Sequence, residues 1–322
     1  MSTEEELVYW TRVVPDAPNN SHSYMLRLIG RNKRVLELGP WKGYFTQALV
    51  DQGCEVVGIE RDPDAAAEAA AIAHRMVVGD LTDEKDLAKV LDDEGYDVIT
   101  AGDVLEHLPD PLAVLRQVRR GLRRGGYVVL SLPNIAHADV KLQLLRGRFP
   151  YRDTGLLDRT HLHFFTLDAI EEMIRDAGLL LVDLQRVILP VFTTEQAVDR
   201  DSVSPEVLAS VLDDPESEVY QFVVRAVVHD GDQELANLAS RVIALQTDLD
   251  REQATRTLAE AELDEVRGEV DVLRNQVDDL TKQLDEAIES ARGFEAHVEA
   301  LQSTRSYRLM APLRALFGRR GA

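Results

Sequence analysis

Lys33-Arg34-Val35-Leu36-Glu37-Leu38-Gly39-Pro40-Trp41-Lys42-Gly43 decides how this chain is read. Its first six residues are a short apolar run bounded by charge, the pattern of a buried strand. Gly39 and Gly43 then flank a tight turn, and Tyr44–Asp51 follows with helical spacing of apolar residues. Glycine after a strand lets backbone N–H groups approach a ligand closely, and the N-terminus of the next helix adds positive potential. A plain strand-to-helix turn that needs a left-handed residue would use glycine as well, so the turn alone does not decide function.

Outward from this turn the pattern repeats. EVVGIE (55–60), HRMVVG (74–79), YDVITAG (96–102) and GYVVLSLP (126–133) read as further buried strands. Helical segments lie between them at Pro63–Ala73, Asp83–Asp92 and Pro111–Leu122. Such alternation predicts βαβ units and a parallel sheet, which binds ligands beyond the carboxyl ends of its strands. LLLVDLQRVIL (179–189) and VYQFVVRAVV (219–228) read as edge strands that pair antiparallel. The segment 134–165 reads as an insertion with a helix near 137–146, and 190–218 as a long connection with one short helix. Insertions on the ligand side of a sheet are where substrate selection sits.

Glu37, Glu60, Asp80 and Asp103 each close a strand at the same predicted edge. Glu60 stands 23 residues after Glu37, where a carboxylate can accept both hydroxyls of a ribose. Asp80, in Gly79-Asp80-Leu81, can accept from an adenine amino group. Any one of these acids would equally suit a solvated loop or a helix cap; four in register point to a shared ligand. The G-x-G-x-x-G pattern of pyrophosphate binding fails at Trp41 and Gly43. That favours an adenosine ligand whose other end is not a phosphate.

Through VLELGPWKG, VVGIERD, VVGDL, DVLEHLPDP and LRRGGYVVLSLPN, in order, the chain resembles the class I S-adenosylmethionine-dependent methyltransferases over about residues 20–230. The resemblance implies an α/β fold: a doubly wound, mostly parallel seven-stranded sheet of Rossmann-like type. It implies S-adenosyl-L-methionine as cofactor, with the turn of Glu37, Gly39 and Gly43 holding the methionine part. Glu60 would take the ribose hydroxyls, and Asp80 with Leu81 the adenine. Asp103 and Val104 would border the cofactor near the adenine and the methyl group. Members of that family carry glycine where Trp41 stands, so an indole here crowds the turn. A second set of stretches is similar to methyltransferases found with bacterial surface-polysaccharide glycosyltransferases: PNIAH (133–137), RGRF (146–149) and LDRTHLHFFT (157–166). STRSYRLMAPLR (303–314) resembles C-terminal ends of such glycan-assembly proteins. These likenesses imply a sugar or glycan acceptor in cell-surface polysaccharide assembly and a glycosyltransferase partner.

Methyl transfer to a sugar hydroxyl needs a base, and histidine suits that task near neutral pH. His107, His161 and His163 are the catalytic candidates, with His137 a fourth. His161 and His163 are two residues apart, so both can face one side of an extended stretch. They could also serve with Asp158 as metal ligands, but no carboxylate cluster is clear enough to name, so no metal is assigned.

The composition changes near residue 229: from there to 303, Glu, Asp, Gln, Leu and Ala dominate. A heptad seam starts at Leu235 and Leu238, and eighteen of its twenty a and d positions are apolar, Glu252 and Arg256 being the exceptions. A sustained 3.5-residue repeat predicts a left-handed coiled coil, here about 100 Å long. Val270, Leu273, Val277 and Leu280 favour two strands, and Glu262/Arg267 and Glu269/Arg274 suit g–e′ pairing in a parallel homodimer. The tail has five arginines and no acid over 303–322, and reads as a contact to an anionic membrane surface or a partner. The chain thus divides into a methyltransferase domain (1–230), a coiled coil (231–303) and a basic amphipathic tail (304–322).

The 322 residues are 45% hydrophobic and 29% charged, enough for a sizeable core. A net charge of −21 argues against nucleic-acid binding. A single cysteine, Cys54, excludes an intrachain disulfide framework and a Cys-based zinc site. MSTEEELVYW lacks the apolar core of a signal peptide, and no run of 18 apolar residues exists. The expectation is a cytoplasmic protein, peripheral at the inner face of the membrane if the tail binds there. Two rival functions remain: a coiled-coil scaffold with a degenerate cofactor domain, and a methyltransferase of small quinone- or polyketide-type molecules.

Overall fold

Strand, turn and helix follow one another much as the apolar runs predict. The structure, a computed structural model, describes residues 13–91, 94–229, 231 and 233–303. After a first helix α1 (Ser21–Ile29) come β1 (Arg34–Leu38), α2 (Tyr44–Asp51), β2 (Glu55–Glu60), α3 (Pro63–Ala69) and β3 (Arg75–Val78). Then follow α4 (Glu84–Ala88), β4 (Tyr96–Gly102), α5 (Pro111–Val118), β5 (Leu122–Pro133) and α6 (Ala138–Leu145). α7 (Leu167–Asp176), β6 (Leu179–Ile188), α8 (Pro205–Leu212), β7 (Val219–Val228) and α9 (Gln233–Ser303) complete the order. Pro63, Pro111 and Pro205 open their helices, with Asp62, Asp110 and Ser204 accepting from free backbone N–H groups.

The seven strands form one sheet in the order β3-β2-β1-β4-β5-β7-β6. β1 to β5 are parallel, and β7 runs antiparallel to both β5 and β6. The chain winds from β1 out to β3 and resumes at β4 on the other side of β1. That reversal opens a crevice beyond the carboxyl ends of β1 and β4. Val35, Val56, Val98 and Val129 pack on one face with Met25 and Ile29 of α1 and Leu49 of α2. Their neighbours Leu36, Val57, Ile99 and Val128 pack on the other with Leu115 of α5 and Ile174 of α7. Successive side chains point to opposite faces, so a strand covered on both sides must be apolar throughout. Each such burial stabilises by about 1.5–3 kcal/mol.

Several elements differ from the sequence reading. β5 begins at Leu122, not 126, because the Gly125–Gly126 pair interrupts the apolar pattern without ending the strand. α3 and α4 are shorter than their alanine- and acid-rich stretches suggest. β7 is not an edge strand: it lies between β5 and β6, and its nearly continuous apolar run is buried on both faces.

α9 is a single helix of 71 residues. The chain forms two compact units, the first ending at Leu249 and the second starting at Asp250. Within the first unit, Ala239 is buried and Ile243 packs on the main core. Arg186 of β6 forms a bidentate ion pair with Glu216 (2.8 and 2.7 Å) and donates to Thr247 Oγ1 at 2.9 Å. In the second unit Leu263, Val270, Leu273, Val277, Leu280, Leu284 and Phe294 are exposed along the helix. The basic tail (304–322) lies outside the described residues. No helix among the described residues is long and apolar enough to cross a membrane.

Candidate functional site

The turn after β1 carries three left-handed residues: Gly39 (φ +64°), Trp41 (φ +49°) and Gly43 (φ +88°). At Trp41 that conformation costs on the order of 1–3 kcal/mol. Its N–H donates to Glu60 Oε2 at 3.0 Å, and Glu60 Oε1 accepts from Asp62 N–H at 2.9 Å. Glu60 thereby ties the turn to the end of β2. A Cβ on Gly39 would lie 2.8 Å from Val104 Cγ2, so the β1 turn and the residue after β4 touch across the crevice. Gly43 caps α2, and a Cβ there would meet the backbone of Ala69 at 3.0 Å.

The acids behind this turn differ in charge state. Glu37 is buried and accepts from Thr46 Oγ1 at 2.7 Å. Burial pushes its carboxyl up to about 7, against the pull of the Thr46 hydroxyl and with a smaller push from Glu60. Asp80 Oδ1 accepts from both the N–H and the hydroxyl of Thr82, each at 2.8 Å. Those bonds hold Asp80 below the usual carboxylate range. Asp103 has φ +53° and accepts from Gln221 Nε2, which also donates to Ser131 Oγ at 2.6 Å. The protein crowded around the crevice pushes Asp103 up, although water reaches its side chain from the crevice, and the Gln221 bond opposes the shift.

Glu37, Gly39, Gly43, Glu60, Asp80, Asp103 and Val104 all lie along one carboxyl edge. Leu81 follows Asp80 at this edge, with its side chain packed in the main core.

The histidines separate. His137 is fully buried and structural: its Nδ1 accepts from Asp139 N–H at 3.2 Å, capping α6, and its Nε2 meets Leu189 O at 2.9 Å. His107 and His161 come together edge to face, with ring centroids 4.7 Å apart. His163 does not join them; its Nε2 meets Pro109 O at 3.1 Å. The stretch 158–165 turns instead of extending, so residues two apart do not share a side. His107 Nδ1 lies 3.3 Å from Thr160 O, a carbonyl that can only accept, so this nitrogen carries the proton and Nε2 holds the lone pair. Thr160 Oγ1 is 3.1 Å from the same nitrogen and donates to Asp158 Oδ1 at 2.6 Å. Burial lowers the His161 pKa, and His107 lowers it further.

Glu106 was not foreseen. It is fully buried, and among the described residues no hydrogen-bond partner meets either carboxylate oxygen. Burial, followed by the charge of Asp103, holds its carboxyl well above the ordinary range. The Glu106 carbonyl accepts from Leu162 N–H (2.8 Å) and His163 N–H (3.0 Å), docking the 158–165 loop on the turn after β4. The signal was an acid beside His107 in DVLEH. Gln221 was also legible, as the one polar residue inside VYQFVV.

The family model of the methyltransferase domain matches residues 15–184, just over half of the chain. The chain belongs to the methyltransferase-domain family. The cofactor of this methyltransferase domain is S-adenosylmethionine. Ubiquinone biosynthesis O-methyltransferase of Aeromonas salmonicida is 28% identical over 159 residues, covering 48% of this chain and 66% of that one. The protein of the same name from Pseudomonas paraeruginosa is 31% identical over 166 residues, covering 47% and 66%. This chain thus spans a little under two thirds of the length of those relatives. The solved structure of a SAM-dependent methyltransferase from Archaeoglobus fulgidus shares the fold, with TM-score 0.51 and 17% identity, covering 70% of this chain and 99% of that one.

The side chains of this methyltransferase domain fit that cofactor. Glu37, Glu60, Asp80 and Asp103 offer acceptors, which suits a ligand with an ammonium, a sulfonium, ribose hydroxyls and an adenine amino group. The same set would repel the phosphates of a dinucleotide.

Proposed function

We propose that the chain transfers a methyl group from S-adenosylmethionine to a hydroxyl oxygen of a sugar or glycan intermediate in cell-surface polysaccharide assembly. The observation that carries the reading is the His107–His161 pair, with ring centroids 4.7 Å apart and His107 standing in the turn that follows β4. When bound, the cofactor supplies an electrophilic methyl group whose leaving group is neutral. The chain's own residues must then bind, orient and deprotonate. Glu37 and the turn to Gly43 hold the methionine end, Glu60 the ribose and Asp80 the adenine. The acceptor proton leaves at the cluster of His107 and His161, where His107 Nε2 carries a lone pair. Phe164 packs against His161 and Phe149 against Phe164, both half-buried on the small apolar cluster of Val140, Leu156 and Leu157 that backs the loop carrying His161.

The test is methyl transfer to a panel of nucleotide sugars, lipid-linked glycans and catechol-type quinone precursors, alongside calorimetry with S-adenosylmethionine. The ubiquinone relatives favour a phenolic acceptor as a second reading, and turnover confined to the catechols would establish it. Absence of cofactor binding by the intact folded chain would favour a scaffold.

The exposed seam of α9 supports a parallel homodimer through a coiled coil, and the basic tail a contact with a glycosyltransferase or the inner membrane face. Sedimentation should give twice the chain mass, and Leu273→Asp with Leu280→Asp should return it to one. An unchanged mass in the double variant would remove the seam from the interface.

A further inference from the structure

We propose that Glu106, His107 and His161 bind a divalent transition-metal ion through one carboxylate and two imidazoles. Each offers a ligand atom, and the three atoms lie within 4.8 Å of one another. Two of the three carry an unanswered group. Both Glu106 oxygens are buried without a partner, and so is His161 Nδ1. A buried polar atom without a hydrogen bond is costly, and two in one cluster require an explanation. The nearest protein groups, the backbone of Glu106 itself and of Leu156, do not reach hydrogen-bonding geometry with these atoms; a cation would answer all of them at once.

His107 is already held as a ligand must be. Its Nδ1 proton goes to Thr160 O, and Thr160 Oγ1 bonds on to Asp158, leaving Nε2 free to coordinate. A carbonyl or carboxylate behind the imidazole is the usual device that sets tautomer and ring orientation at a metal. His161 comes from the 158–165 loop, so the site exists only when that loop is docked on the Glu106 carbonyl.

The donor set selects the ion. Magnesium and calcium prefer oxygen ligands, whereas two imidazoles and a carboxylate suit zinc, cobalt, manganese or ferrous iron. Tetrahedral ligands on bonds of about 2.0–2.1 Å sit roughly 3.4 Å apart, so the ion would draw the three side chains inward by up to roughly 1.5 Å. Three protein ligands leave a coordination position open. That position would take the acceptor hydroxyl and make it more acidic; with the ion bound, both imidazole lone pairs are spent on it, so the acceptor proton passes to solvent and not to His107 Nε2. The assignment of that role rests on the methyltransferase reading; the binding of the ion does not.

The experiment uses tag-free intact protein, stripped with chelator and titrated separately with Zn²⁺, Co²⁺ and Mg²⁺ by calorimetry. Co²⁺ is also followed by visible absorption, and S-adenosylmethionine binding is measured on the same samples. One Zn²⁺ or Co²⁺ per chain is expected, with Mg²⁺ far weaker and intense cobalt bands of low-coordinate type. Glu106→Gln and His161→Ala should each weaken Zn²⁺ by about 100-fold or more; Thr160→Val, which keeps the carbonyl behind His107 and loses the hydroxyl link to Asp158, should weaken it by only about two- to fivefold. His74→Ala, at an exposed histidine paired with Glu55, should change nothing. Circular dichroism establishes that the variants fold, and the wild-type cobalt spectrum does not depend on them. No stoichiometric uptake, uptake that survives both Glu106→Gln and His161→Ala, or preference for Mg²⁺ would overturn the site. Cofactor binding without metal uptake sinks this proposal alone; metal uptake without cofactor binding supports it and sinks the methyltransferase reading.

Discussion

The two halves of the carboxyl edge use the same residue types for opposite ends. On the outer half, beyond β2 and β3, Glu60 and Asp80 are answered by backbone N–H groups and stay ready to accept. On the inner half, beyond β1 and β4, Glu37, Asp103 and Glu106 sit where surrounding protein disfavours charge, and all three are pushed up. Burial under surrounding protein wins at Glu37 and Glu106, and the bonds from Thr82 win at Asp80. Asp80 can therefore accept from a neutral amino group across the ordinary pH range. The inner half gains negative charge as pH rises through about 7 at Glu37, or when something positive arrives.

The sharpest break comes from the inner half. His161→Ala should lower turnover on whichever acceptor is methylated by roughly 100- to 10,000-fold, while cofactor affinity measured by calorimetry stays within twofold or so of wild type. An equal fall in cofactor affinity would mean that the histidine cluster belongs to the cofactor pocket instead.

Glu37 gives the next largest effect. Its folded pKa of about 7 lies above the ordinary 4.5, so the native state binds the extra proton. Stability from this group is full below pH 4.5 and falls as pH rises towards 7, by about 3 kcal/mol in all. Urea melts across that window should show the slope in wild type and lose it in Glu37→Gln. A cationic ligand reverses the preference: cofactor affinity should rise on the order of tenfold from pH 5.5 to 7.5, with proton release in calorimetry. The window ends there because an α-amino group titrates near 8.

The outer half should behave in the contrary way. Asp80→Asn should weaken the cofactor by roughly tenfold, equally at every pH from 5.5 to 7.5, because Asp80 is already ionised throughout. A pH-dependent loss would erase the distinction between the halves. The smallest change is Thr82→Val, which removes one of the two Thr82 bonds to Asp80. Affinity should fall by only about two- to fivefold, and the Asp80 pKa, followed by NMR, should move back towards its ordinary value.

The outer half was also the more legible in sequence. Acids that close consecutive apolar runs can be placed on one edge by counting, because parallel strands share a direction. Their bonds to Trp41, Asp62 and Thr82 come from residues close by in the chain or on the neighbouring turn. The inner half depends on distant partners. His107 meets His161 across a loop that no local period describes, and Gln221 reaches Asp103 only because β7 slips between β5 and β6. Strand order among antiparallel neighbours is not written in the alternation of either strand. His163 reads in sequence as the equal of His161, since spacing alone cannot tell a side chain spent on a carbonyl from one left with a lone pair.

Leu162 and His163 both end their amide bonds on the single carbonyl of Glu106. Neither can be freed by a local crankshaft that spares the other. Their deuterium uptake should therefore advance in step, at one rate, and that rate times how often the whole acceptor side swings away from the sheet. Any compound that clamps this side would slow both amides by the same factor, which gives a clock for ligand discovery that needs no knowledge of the reaction.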